Sequence, residues 1–169
     1  MSIYLNVDEV FQIGVQIEAN GKLFYETAAM QTTEGPTKKL FQELASWENR
    51  HIHLFENLRL RLPEAAKTEE LLDPDSELQT YIMATADSHV FVKNKDILSL
   101  VSNLKTPQEV LDLAMAFEKD SVVFFTVMKK AVPEALGKEQ IDRLILEEIK
   151  HMAVLTREKE KLEGSGEHR

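Results

Sequence analysis

The sequence contains no cysteine. That excludes a disulfide framework, a thiolate nucleophile and any four-cysteine iron site within the chain, and it fits a reducing compartment. Glycine and proline are sparse, six and five in 169 residues, which argues against a linker-rich chain and for an ordered, helical one. Basic residues are in the minority, 20 against 29 acidic, for a formal charge of -9. A nucleic-acid backbone binder draws its affinity from positive charge facing phosphates, so this balance argues against that class. No uninterrupted apolar run approaches the roughly 20 residues that span a bilayer. Near the N-terminus there is neither a basic leader nor an apolar signal core, and the first charge is Asp8. The expectation is a soluble, cytoplasmic protein that binds neither nucleic acid nor membrane.

What is present is helical patterning. At 19.3 kDa the chain is long enough for one domain with a sizeable core. Asn6-Val7-Asp8-Glu9 has the form of a capping box, after which Phe11, Val15, Glu18, Tyr25 and Ala29 fall near one helical face. Gly35-Pro36 marks a turn, and a second helix to about Leu62 carries Leu40, Leu44, Glu48, His51, Phe55 and Leu58 inward until Pro63 ends it. Residues 63–75 are polar and read as a connection. A shorter helix is expected from Ser76 to about Val92, with Val90-Phe91-Val92 equally compatible with a short strand, and another helical piece over Asp96 to Val101. Thr106-Pro107-Gln108-Glu109 opens the next long helix with a capping threonine, an early proline and a glutamate; its face holds Leu111, Met115, Glu118, Val122, Phe125 and Met128. After the break at Val132–Gly137, the last helix runs from about Lys138 to Lys161 with Ile141, Leu144, Glu148, His151 and Leu155 inward. Residues 1–163 form the expected domain, and Gly164-Ser165-Gly166 begins a flexible tail over 164–169.

The two halves repeat at an offset of 100. Glu48-x-x-His51 returns as Glu148-x-x-His151, and each pair has a glutamate thirty residues upstream, Glu18 and Glu118. Asn6-x-x-Glu9-Val10 matches Thr106-x-x-Glu109-Val110, Phe24-Tyr25 matches Phe124-Phe125, and Leu44 matches Leu144. This is the pattern of an all-α four-helix bundle built from two helical hairpins joined by a long crossover that contains a short helix.

Three-residue spacing puts the carboxylate and imidazole of each Glu-x-x-His on one helical face, one turn apart. All four long helices can bring their polar residue to a common central level, where four buried like charges would be costly. Two divalent metals resolve that conflict: +4 against -4, with two imidazoles completing the shell. One glutamate from each of two helices plus Glu-x-x-His from each of the others is a known dinuclear constellation. Glu18, Glu48, His51, Glu118, Glu148 and His151 are therefore the candidate catalytic and metal-ligating residues, with Glu48 and Glu148 bridging, Glu18 and Glu118 terminal and one histidine per metal. On charge grounds the metals are two Fe, Mn or Zn ions, and redox chemistry selects iron or manganese. Outside this set, His53 faces elsewhere, and Glu147 lies toward solvent or a helix interface, or supports the ligands from behind. Tyr25 is core or a hydroxyl reaching the ligands, Trp47 is core or interface, and His89 has no partner that spacing identifies.

At these residues the chain resembles the rubrerythrin-type branch of the ferritin-like superfamily. The strings are Glu18-x-x-Gly21-x-x-Phe24-Tyr25-x-x-Ala28-Ala29, Leu44-Ala45-x-x-Glu48-x-x-His51-x-x-x-Phe55, Glu118-Lys119-Asp120-Ser121-Val122-x-Phe124-Phe125 and Glu147-Glu148-x-x-His151. The resemblance implies a ferritin-like bundle with a non-haem di-iron centre that reacts with O2 or H2O2 in defence against oxidative stress. It also implies a homodimer, in some relatives with exchanged helices. Full rubrerythrins add a cysteine-bearing rubredoxin domain, which is not part of this sequence, so an external donor such as a rubredoxin-like protein is expected. Where they carry a further glutamate on the third long helix, this chain has Ser121, and the remaining six-residue set resembles the ferroxidase centre of bacterioferritins.

The leading functional expectation is an oxidoreductase that reduces peroxide or dioxygen while oxidising Fe(II). The alternatives are a ferroxidase for iron detoxification or delivery and a non-catalytic metal-stabilised structural or carrier protein.

Overall fold

A computed structural model describes residues 5–33, 35–71, 73, 75, 77–89 and 96–166. Four long helices dominate: α1 Val7–Gln31, α2 Pro36–Leu60, α6 Pro107–Ala131 and α7 Lys138–Gly166. Between the hairpins run α3 Glu64–Thr68, α4 Glu77–Ser88 and α5 Ile97–Asn103, and a 3-10 turn, Glu134–Leu136, joins α6 to α7. There is no strand among the described residues.

Both hairpins begin as their sequences dictate. Asn6 Oδ1 accepts from the Glu9 N–H while Glu9 Oε2 accepts from the Asn6 N–H, each at 2.9 Å. Thr106 and Glu109 repeat the reciprocal pair at 3.2 and 3.1 Å. Each box satisfies two otherwise orphaned donors, an effect of about 1 kcal/mol.

The short turns make α1 antiparallel to α2 and α6 antiparallel to α7, and these pairs form the most extensive contacts. Opposed pairs such as Thr37 with Glu158 and His51 with Glu147 show that α2 and α7 also run antiparallel. α4 lies on α6 and α5 on α1, carrying the chain along the bundle between its halves. The offset of 100 extends to the polar ties. Arg59 bonds Asp8 and Gln12 across the first hairpin, and Lys159 bonds Asp112 across the second, so 59 with 12 mirrors 159 with 112.

The core is apolar and aromatic. Phe11, Phe24, Tyr25, Phe41, Phe55, Phe117, Phe124 and Phe125 are all fully buried. Gly21 lets α1 close on α6: a β-carbon there would enter the ring of Phe117. Gly137 has a left-handed φ of 119°, and its missing side chain leaves room for Leu58.

The connection read over 63–75 contains the one-turn α3, which Pro63 starts as readily as it stops α2. α4 ends at Ser88, and the ambiguous Val90-Phe91-Val92 lies outside the described residues. α7 continues to Gly166, into the segment expected as a tail, whose last residues 167–169 also lie outside them.

Candidate metal centre

The four long helices each contribute inward polar groups at mid-length: Glu18 from α1, Glu48 and His51 from α2, Glu118 from α6, Glu148 and His151 from α7. All four carboxylates are fully buried, and both imidazoles nearly so. The two Glu-x-x-His pairs lie on one turn each, so Nδ1 of each histidine faces the carboxylates beside it.

The contacts divide the set into two overlapping groups. Glu148 Oε1 lies 3.0 Å from His51 Nδ1, and its other oxygen lies 2.9 Å from His151 Nδ1. Glu48 spans the same gap, at 3.7 Å to His51 and 3.6 Å to His151. Glu18 approaches only His51, at 3.4 Å, and Glu118 only His151, at 3.5 Å. Donor atoms of Glu18, Glu48, His51 and Glu148 thus gather within 4.8 Å of one another, as do those of Glu48, Glu118, Glu148 and His151. The two glutamates common to both groups are those read as bridging.

These close contacts lack hydrogen-bond geometry. Both oxygens of Glu18, Glu48 and Glu148, Oε2 of Glu118 and Nδ1 of both histidines are buried without a hydrogen-bond partner. Buried polar atoms are normally paired, so nine converging orphans call for a shared partner. A pair of divalent cations fits the donors: six oxygen-rich and imidazole ligands, neutral in sum.

Without a cation the charges must be balanced by protons. Burial and then the neighbouring Glu18 and Glu148 hold Glu48 well above the carboxylate range. Burial, with Glu148 nearby, pushes Glu118 up to about 8. Burial works against the charged His51, yet Glu18 and Glu148 raise it well above its ordinary value. His151 rises to about 9, its burial outweighed by Glu118 and Glu148. Glu148, despite burial, is held low by the two imidazoles. Metal binding must therefore displace protons.

Around this centre the halves differ. Tyr25 donates its hydroxyl hydrogen to Glu118 Oε1, a very short bond, where the other half has Phe125. Burial and the Glu118 charge keep this phenol protonated, well above its ordinary pKa. Outside His51, Nε2 meets Glu147 Oε2 at 3.0 Å. Outside His151 the counterpart position is Trp47, stacked on the imidazole at 4.6 Å and 14°. His89 from the end of α4 is buried against Phe117, with Nε2 3.2 Å from Ser121 Oγ.

Residues 9–159 match the rubrerythrin family. The chain belongs to it. A crystal structure from Thermotoga maritima, provisionally described as a ferritin-like diiron-carboxylate protein, superposes with a TM-score of 0.69 at 20% identity. The alignment covers 95% of this chain and 98% of that one, and at that identity it establishes the fold. No curated protein matches. Within a rubrerythrin-family bundle, the six polar residues occupy the centre where the helices converge, and two clustered carboxylate–histidine groups there are suited to metal.

The reading of Glu147 at a helix interface behind the ligands agrees with its contact to His51, while Trp47 and His89 were not read as neighbours of the centre. For Trp47, a signal existed in the unequal residues at 47 and 147 beside equivalent histidines. For His89 the only clue was a serine at an inward position of α6. His53, expected to face elsewhere, is exposed and pairs with Glu56. No helix among the described residues is long and apolar enough to cross a membrane.

Proposed function

We propose that this chain is a non-haem di-iron oxidoreductase that reduces hydrogen peroxide, or dioxygen, with Glu18, Glu48, His51, Glu118, Glu148 and His151 as its ligands. The observation that carries the proposal is the convergence of nine unpaired buried donor atoms on two overlapping groups at the centre of a rubrerythrin-family bundle. With two Fe(II) ions bound, these residues would hold the two electrons that H2O2 needs, with two protons, to become two waters.

The protein's part is positioning and exclusion. Glu48 and Glu148 each direct one oxygen to either group, so they hold the two positions together, while Glu18 and Glu118 serve one position each. Tyr25 occupies Glu118 Oε1 and leaves Oε2 turned toward the centre. Glu147 orients His51 through the outer ring nitrogen, the usual way an imidazole ligand is fixed. Buried Leu44 and Phe125 line the bundle interior and restrict water. Turnover in this reading draws on an external electron donor.

The test is an anoxic Fe(II) titration of the metal-free chain and of Glu148→Ala, followed by mixing with peroxide. A break near two irons per chain, absent in the variant, with peroxide oxidising the bound iron faster than free Fe(II), is the expected result. No break in the wild type overturns the dinuclear site. Sustained turnover on added Fe(II) without any reductant would make the chain a ferroxidase instead.

A further inference from the structure

Three nearly parallel rings lead outward from the centre. His51 and His151 stack at 5.5 Å and 16°, and Trp47 stacks on His151 at 4.6 Å and 14°. Trp47 is only half-buried, and the Arg50 guanidinium lies 5.9 Å from its ring centre. Beside it an open recess of about 240 Å³ is lined by Trp47, Arg50, Glu147, Lys150 and His151. The recess thus reaches one of the candidate ligands, His151, beside the half-buried Trp47 ring.

The surface there is basic in a chain whose net charge is -9. Arg143, Lys150 and Arg157 recur every seven residues and so share one stripe of α7, all exposed, with Arg50 exposed on α2 beside the recess. Against them stand Glu43 and Glu147; the second is engaged by His51, and Arg143 pairs with Glu139.

We propose that the α2–α7 face around Trp47 is the docking site for an acidic one-electron carrier protein, and that its electrons reach the centre through the Trp47–His151–His51 stack. The proposal rests on the di-iron reading above. Opposite charge steers the carrier to Arg50 and Lys150 and sets its encounter rate. Trp47 places a polarisable ring between the carrier and a ligand, so the electron tunnels through ring contacts rather than across water. Each carrier loses one electron, and two such events return two Fe(III) to two Fe(II). Trp47 is a positioning residue in this scheme: it touches a ligand, not the metal.

The test uses the iron-loaded full chain and an acidic rubredoxin as probe. Calorimetric titration with the redox-inert zinc form measures docking alone, and stopped-flow mixing with the reduced iron form measures transfer. Each transfer rate is read against the same variant's reduction by photoreduced 5-deazariboflavin, a neutral reductant. Arg50→Glu/Lys150→Glu is expected to weaken docking at least tenfold, as is raising the salt from about 20 to 200 mM. Trp47→Leu is expected to slow transfer at saturating carrier, where occupancy no longer limits the rate, at least tenfold. A dissociation constant indifferent to charge reversal, or a saturated rate indifferent to Trp47→Leu, overturns the proposal. If deazariboflavin also fails to reduce the oxidised wild type, the di-iron reading falls, and this proposal with it. If only rubredoxin fails, the reading stands and the docking site alone is refuted.

Discussion

Glu147 sets its Oε2 3.0 Å from the outer nitrogen of His51, across the seam between α2 and α7. His151, the equivalent imidazole, shows no such carboxylate contact among the described residues; Trp47 stacks on the face of its ring. A carboxylate on the outer nitrogen fixes the tautomer and increases the basicity of the nitrogen that faces the metal, so the two positions should differ in affinity. Glu147→Gln is expected to lower the affinity of the His51 position by about 10- to 100-fold while sparing the other. An anoxic iron titration would then show one tight and one weak equivalent. Equal weakening of both positions would mean that the asymmetry of the outer shell is not expressed in binding.

Tyr25 offers a simpler case, a single hydroxyl donating to Glu118 in a fully buried setting. Tyr25→Phe keeps the ring and its packing against Phe24, Phe41 and Phe117. It removes the donor and leaves Glu118 Oε1 without it. The expected cost is about 1–3 kcal/mol in urea unfolding of the metal-free protein. A variant as stable as the wild type would show that the bond offsets no more than its own desolvation.

How much of this could be read in advance follows from what spacing encodes. Periodicity places a residue on a face of its own helix, so the convergence of Glu18, Glu48, His51, Glu118, Glu148 and His151 was legible once the offset of 100 joined the halves. The caps at Asn6 and Thr106 were legible because their partners lie three residues away. The partners of Glu147, Trp47 and His89 were not, because each lies on another helix: His51, His151 and Ser121 are dozens of residues distant, and rotation about each helix axis decides the contact. The one-turn α3 was hidden by a polar composition that suits a loop and an exposed short helix equally.

Gly21 tests the packing of α1 on α6. Alanine ordinarily stabilises a helix interior by about 1 kcal/mol over glycine. Here its β-carbon would enter the ring of Phe117, itself fully buried against Tyr25 and His89. Overpacking of this kind costs about 1–3 kcal/mol, so Gly21→Ala is expected to destabilise despite its better propensity. Phe117→Leu should make room, and the cost of Gly21→Ala should at least halve in that background. Additive effects of the two substitutions in a double-mutant cycle would show that the ring is not the obstacle.

His89 supplies a pH dependence with a definite sign. Burial holds this imidazole down to about 4, against an ordinary value near 6.5, so the folded protein keeps it neutral where the unfolded chain would protonate it. Between those values the unfolded state binds more protons. Stability therefore falls as the pH drops from 6.5 toward 4 and levels off below, while above 6.5 the group contributes nothing. The full effect is about 3 kcal/mol. His51 and His151, raised rather than lowered, act in the opposite direction and must be cancelled. The difference in unfolding free energy between wild type and His89→Gln, both metal-free, does so. That difference is expected to decline across pH 6.5 to 4, and a flat difference would mean that His89 takes up its proton in the folded state.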